Sequence, residues 1–242
     1  MSDGGAASAG LLANAESGSA AVGRRHGMDR TQIKICGIAR PEDAAAIANA
    51  GMDAIGLVFY RHSSRAVDPV QAREIISVLP PFTSAVALFL DAREREVEDV
   101  LETVPVDLLQ FHGSESAAFC RRFGRRWIKA VGMGGGTDLG PHVARYPDAA
   151  AILVDGHPPG APGGTGNRLD WQSLPGERSY RLVLAGGLNP GNVAQAIGQV
   201  QPDAVDVSSG VERTKGIKDA GLVRQFIEEV RRGDASARTR CV

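Results

Sequence analysis

The sequence predicts an α/β fold, a single-domain (βα)8 TIM barrel, and three observations carry that expectation. Eight short apolar runs recur at roughly 20–30-residue intervals, the length of one βα unit. Segments with helix-start signals separate them, and polar residues gather where the runs finish. The runs are Gln32–Cys36, Ala54–Phe59, Ser84–Leu90, Leu108–Phe111, Trp127–Val131, Ala151–Val154, Leu182–Leu184 and Ala204–Val207. Most are near-continuous in Ile, Val, Leu and Ala, as strands covered on both faces should be. An open doubly wound sheet is the other architecture for such a pattern, and the strand count of eight favours the barrel.

The helices follow from local chemistry. Pro41-Glu42-Asp43 puts a proline and two acids in a first turn, ahead of an Ala-rich run that Gly51 stops. Asp68-Pro69 opens Val70–Val78, and Leu79-Pro80-Pro81 closes it. Asp91 is placed to cap Ala92–Thr103, and Asn189-Pro190 begins the run to Ile197. Asp219–Arg232 carries Leu222, Val223, Phe226, Ile227 and Val230 on one face, with Gly233 as its stop. The Pro- and Gly-rich segment Gly156–Arg168 reads as a long loop, and such loops in small domains tend to be functional lids.

Bulk properties narrow the function classes. The 242 residues are 43% hydrophobic, enough for a sizeable core, with a formal charge of -1 and both signs interspersed. That balance gives no nucleic-acid or acidic-membrane surface. Cys36, Cys120 and Cys241 are too scattered for a disulfide framework or a zinc site, so a reducing cytoplasm fits best. No apolar run reaches the roughly 18 residues of a membrane span. Residues 1–29 form an Ala/Gly/Ser-rich extension expected to be disordered, with Met28 as an alternative start. The barrel is expected over 30–233 and a short C-terminal tail over 234–242.

Sites in either architecture form beyond the carboxyl ends of the strands. Cys36 ends the first strand, His112 follows the fourth, Asp155 the sixth, and Asp206 and Ser208 close the eighth. Period-two alternation pairs Lys34 with Cys36, Gln110 with His112, and Asp206 with Ser208 on common faces. A lone buried cysteine is usually filler, His112 could be a satisfied core histidine, and Asp155 could cap a turn. Five polar endings on one rim outweigh those separate readings. Gly186-Gly187 and Ser209-Gly210 follow the seventh and eighth strands, where many barrels hold a phosphate on backbone N–H groups. The five histidines show no metal-binding spacing, and neither a serine-nucleophile elbow nor a P-loop is present. What remains is a thiol, a carboxylate, an imidazole and a basic cluster around a phosphate site, which is equipment for proton transfer.

These residues resemble one family. Lys34-Ile35-Cys36-Gly37-Ile38, Gly56-Leu57-Val58-Phe59, Ser63-Ser64-Arg65 and Leu109-Gln110-Phe111-His112-Gly113 are followed in order by Val154-Asp155 and Gly163-Gly164-Thr165-Gly166. Ala185-Gly186-Gly187-Leu188-Asn189-Pro190 and Asp206-Val207-Ser208-Ser209-Gly210-Val211-Glu212 complete the series. The order is that of the phosphoribosylanthranilate isomerases of tryptophan biosynthesis, and it spans Gln32 to about Phe226.

The resemblance implies an Amadori rearrangement of a phosphorylated aminoaldose to an aminoketose, with no cofactor and no metal. It matches Cys36 to the general base and Asp155 to the general acid. It matches Arg65 to the residue that pairs with the anthranilate carboxylate, and His112 and Asp206 to residues near the ribose and bridging amine. The backbone around Gly186, Gly187, Ser209 and Gly210 matches the phosphate cradle. The implied partner is a small phosphorylated sugar–anthranilate, with non-covalent contact to neighbouring tryptophan-pathway enzymes left open. Lys215 stands where the family frequently has proline, which loosens the loop after strand eight, and Leu169 replaces a frequent phenylalanine. A histidine-pathway or dual-substrate sugar isomerase is the nearest alternative, but those enzymes use a carboxylate where this chain has Cys36. A non-catalytic phosphate-binding barrel would have no need of an acid opposite a base.

Overall fold

The computed structural model describes residue 1 and residues 30–157 and 169–239. The expectations for the N-terminal extension, for Gly163–Gly166, for most of the 156–168 loop and for Cys241 therefore lie outside the described residues.

Eight parallel strands close into a barrel in chain order. They are β1 (Gln32–Cys36), β2 (Ala54–Val58), β3 (Ser84–Phe89), β4 (Leu108–Phe111), β5 (Trp127–Gly132), β6 (Ala151–Asp155), β7 (Leu182–Leu184) and β8 (Ala204–Val207). Closure comes from β8 pairing back onto β1, with Lys34 opposite Asp206. Alternation then sorts the side chains. Ile33, Ile35, Ile55, Leu57, Ala87, Phe89 and Leu109 belong to the layer between strands and helices. Ile128, Ala130, Ala151, Leu153, Val183 and Ala185 form a separate cluster that fills the barrel. Each large aliphatic buried in these layers contributes about 1.5–3 kcal/mol.

The amino-terminal rim is tied by aspartates one residue ahead of three strands. Asp53, Asp107 and Asp203 accept the backbone N–H groups of Ile33, Ala85 and Leu182 respectively, each at 2.8 Å. Each carboxylate reaches to the preceding strand and satisfies a donor that the barrel edge would otherwise strand.

Among the described residues seven α-helices surround the strands: α1 (Pro41–Ile47), α2 (Pro69–Ser77), α3 (Glu94–Thr103), α4 (Ala117–Arg121), α5 (Leu139–Arg145), α6 (Val193–Val200) and α7 (Ala220–Thr239). Asp68 caps α2 through the N–H groups of Val70 and Gln71, as the sequence indicates. Three helix ends differ from expectation. Asp91 adopts φ 48° and accepts from Ser114 N, so α3 starts later, where Glu96 accepts from Arg93 N. Asn189 folds into a turn with Asn192, and α6 begins only at Val193. Gly233 does not stop α7. It sits against Ala194 of α6, where a side chain would meet the Ala194 Cα at 3.0 Å. The helix continues and brings Asp234 under Thr31, whose N–H and hydroxyl both donate to it.

The segment after β8 is also more ordered than the Lys215 substitution suggests. It is an antiparallel ribbon of β9 (Glu212–Thr214) and β10 (Ile217–Lys218), which carries two charges into the site. Among the described residues no helix is long and apolar enough to cross a membrane.

Candidate active site

One cavity of about 380 Å³ opens at the carboxyl ends of the strands. Cys36, Arg65, His112, Asp155, Gly186, Gly187, Asp206 and Ser209 all line it. Gly210 is the one expected site residue that does not; it is packed against the Leu188 carbonyl, holding the β8 loop to the β7 loop. Around the closed barrel β1 and β6 stand three strands apart one way and five the other. Cys36 and Asp155 therefore approach the cavity from different sides.

Cys36 ends β1 because Gly37 turns the chain at φ 73°. A side chain at 37 would also run into the Arg65 stem. Below Cys36, Lys34 donates to Asp206 at 2.9 Å, both groups being buried. Burial pushes the Cys36 thiol up, the Lys34 ammonium opposes that, and the Asp206 carboxylate adds to it; the thiol ends above its ordinary value. Burial works against the Lys34 cation, but Asp206 and Cys36 more than restore it.

Asp155 ends β6. Burial disfavours its anion, and although His157 and the N–H groups of Gly156 and His157 favour it, Asp206 adds repulsion. Its pKa is raised, so the protonated acid is favoured more than for an ordinary carboxyl. Gly186 lies close behind, where a Cβ would sit 2.5 Å from Gly156 N and 3.2 Å from Asp155 Oδ1.

Arg65 is clamped. Its Nε and Nη2 donate to the Glu212 carboxylate at 2.7 and 2.9 Å. Lys218 donates to the same carboxylate at 2.8 Å. Burial alone would raise the Glu212 pKa, but hydrogen bonds from Arg65 and Lys218 outweigh it and hold the group ionised. This bidentate fork fixes the guanidinium plane at the cavity wall and leaves its Nη1 edge for a ligand.

His112 accepts or donates at both ring nitrogens, 3.1 Å from Gln110 Nε2 and 2.9 Å from His157 Nε2. Burial first, then the neighbouring His157, Lys129 and Lys34, lower its pKa to about 3, so it is neutral at working pH. Gln110 lines the cavity with its buried Oε1 unpartnered among the described residues. Lys129 differs from Lys34: it donates to Phe111 O, Gly113 O and Glu115, and so is spent on structure.

Sequence reasoning did not find Glu212, Lys218 or His157. The first two are 147 and 153 residues from Arg65 and meet it only through the β9–β10 ribbon. The Asp155-Gly156-His157 spacing was the one available signal for the third. After β7, Asn192 donates to Gly187 O at 2.9 Å and accepts from Asn189 N, which sets the shape of the β7 loop.

Comparison with known proteins gives a consistent picture. The family model described as N-(5'phosphoribosyl)anthranilate (PRA) isomerase matches residues 33–229. An N-(5'-phosphoribosyl)anthranilate isomerase of Pseudomonas aeruginosa (strain UCBPP-PA14) is 54% identical over 204 residues, covering 84% of this chain and 97% of that protein. The crystal structure of phosphoribosyl anthranilate isomerase from Thermus thermophilus superposes with a TM-score of 0.73 at 34% identity, covering 83% of this chain and 98% of that one. A further phosphoribosyl anthranilate isomerase, solved in complex with reduced 1-(o-carboxyphenylamino)-1-deoxyribulose 5-phosphate, gives 0.69 at 36% identity, with 83% and 98% covered.

Proposed function

The chain belongs to the N-(5'-phosphoribosyl)anthranilate isomerase family, and from that premise we propose how its cavity carries out this step of tryptophan biosynthesis. The substrate is N-(5-phosphoribosyl)anthranilate and the product 1-(2-carboxyphenylamino)-1-deoxyribulose 5-phosphate. Asp155 is the general acid: its carboxyl gives a proton to the ribose ring oxygen, the C1′–O bond breaks, and a cationic Schiff base forms. Cys36 is the general base: its thiolate takes the C2′ proton, the C–H pair forms the C1′=C2′ double bond as the C=N π pair moves onto nitrogen, and the enolamine that results tautomerises to the ketose.

The observation that carries this reading is the pairing, in one cavity, of Cys36 with a carboxyl whose acid form is favoured. The thiol is harder to ionise than usual, and Lys34 is the residue that offsets this. The iminium charge on the opened substrate adds to that stabilisation when the base is needed. The Nη1 edge of Arg65 meets the anthranilate carboxylate, and His112 and Asp206 border the ribose and amine. The β7 and β8 loops hold the phosphate through the backbone of Gly186, Gly187 and Ser209, with Gly210 closing the loop behind them. Reduced Cys36 and Cys120 suit a cytoplasmic setting.

Loss of anthranilate-conjugate fluorescence reports turnover. Cys36→Ala and Asp155→Asn should each abolish most turnover while a reduced product analogue still binds. Near-normal kcat in either variant removes that residue from its role.

A further inference from the structure

His157 has no part in the rearrangement just described, yet it is buried beside the acid and holds its Nε2 2.9 Å from that of His112. His112 follows directly on β4, and Asp155 and His157 lie at the end of β6 and two residues beyond it. Donor atoms of these three buried side chains all fall within 4.8 Å of one another. We infer that His112, His157 and Asp155 form a binding site for a first-row divalent transition ion such as Zn²⁺, placed so that ion and sugar substrate exclude each other.

The donor set selects the ion. Two imidazoles and one carboxylate suit zinc, cobalt or nickel, whereas calcium and magnesium require oxygen. Zinc–nitrogen bonds of about 2.0–2.1 Å put two tetrahedral nitrogens roughly 3.3 Å apart. The histidine pair therefore has to open by only a few tenths of an ångström.

The tautomer is provided for as well. A metal on His112 Nε2 requires the ring proton on Nδ1, facing the Gln110 amide at 3.1 Å. Turned over, that amide offers its Oε1, now buried without a partner among the described residues, as the acceptor. A ligating histidine backed by a carbonyl is the usual outer-shell arrangement of metal centres. With the ion bound, Asp155 is an ionised ligand and has no proton for the ring oxygen. This inhibitory consequence rests on the role proposed for Asp155; metal binding itself does not.

The test uses the full chain and Co²⁺ as the probe, without substrate. One cobalt ion per chain with visible ligand-field bands is expected, displaced by Zn²⁺. Gln110→Ala should weaken binding about tenfold, and His157→Asn and His112→Asn by more than that. His157→Asn carries the test if His112→Asn fails to fold, because residue 157 lies beyond the strand. In a separate assay Zn²⁺ should inhibit competitively with substrate, and a chelator should restore turnover. The proposal is overturned by absent bands, by unchanged affinity in His157→Asn, by a thiolate charge-transfer band that assigns Cys36 as ligand, or by zinc and a reduced product analogue binding together. The cobalt spectra need no turnover, so they are independent of the catalytic assignments.

Discussion

At the amino-terminal rim Asp53, Asp107 and Asp203 each accept a backbone N–H from the preceding strand. At the opposite rim Asp155 and Asp206 face a cavity, one beside a histidine pair and the other on Lys34. The same side chain thus has two employments, set by which end of a strand it occupies. Below, its lone pairs meet fixed donors of the backbone and serve stability. Above, burial favours the acid form of Asp155, the form that proton donation requires.

The contrast is sharpest in the proposed acid–base pair. Cys36→Ala and Asp155→Asn should lower kcat by about 10²–10⁴-fold with little change in thermal stability. The pH profile of kcat/KM tests the protonation states. On the proposed roles the active form needs protonated Asp155 and ionised Cys36, two groups whose pKa values are both raised. A plateau should span neutrality, its acid limb marking Asp155 and its alkaline limb marking Cys36 above the ordinary thiol value.

Lys34→Met comes next in size. It strands Asp206 in the barrel and should cost about 3–5 kcal/mol in denaturant unfolding. In the surviving folded enzyme the plateau should fall and the alkaline limb move further out, since the cation that favours the thiolate is gone. An unmoved limb would separate Lys34 from the base. His112 gives a smaller, pH-dependent effect. The unfolded histidine titrates near 6.5 and the folded one at about 3, so below pH 6.5 protons favour the unfolded chain. Stability should therefore fall with pH by about 2 kcal/mol at pH 5, and His112→Asn should remove that slope. Asp203→Ala, at the far rim, should cost about 1–3 kcal/mol of stability and leave kcat unchanged. A loss of kcat there would break the division between the two ends.

The strands were readable because they are covered on both faces, which writes each one as an apolar run; all eight fall within a residue of expectation. Helix starts were less readable where an Asp or Asn had a competing local partner. Asp91 is taken by Ser114 and Asn189 by the turn to Asn192, and neither caps a helix. Gly233 looked like a stop because its helix–helix contact with Ala194 is invisible in one dimension. In the site, Cys36, Asp155 and the loop glycines announce themselves at strand ends. Pairings such as Lys34 with Asp206, 172 residues apart, or Arg65 with Glu212, are made only by barrel closure and by the ribbon after β8. Local patterning carries no trace of them.

The joining of β1 to β8, with Asp234 clasping Thr31 at the seam, also governs when the protein becomes an enzyme. Lys34 on the thiol strand and its aspartate counterpart Asp206 lie 172 residues apart along the chain. Without β8 the wall beside Cys36 stays open, so the chamber takes shape only when the two ends of the barrel sequence have met.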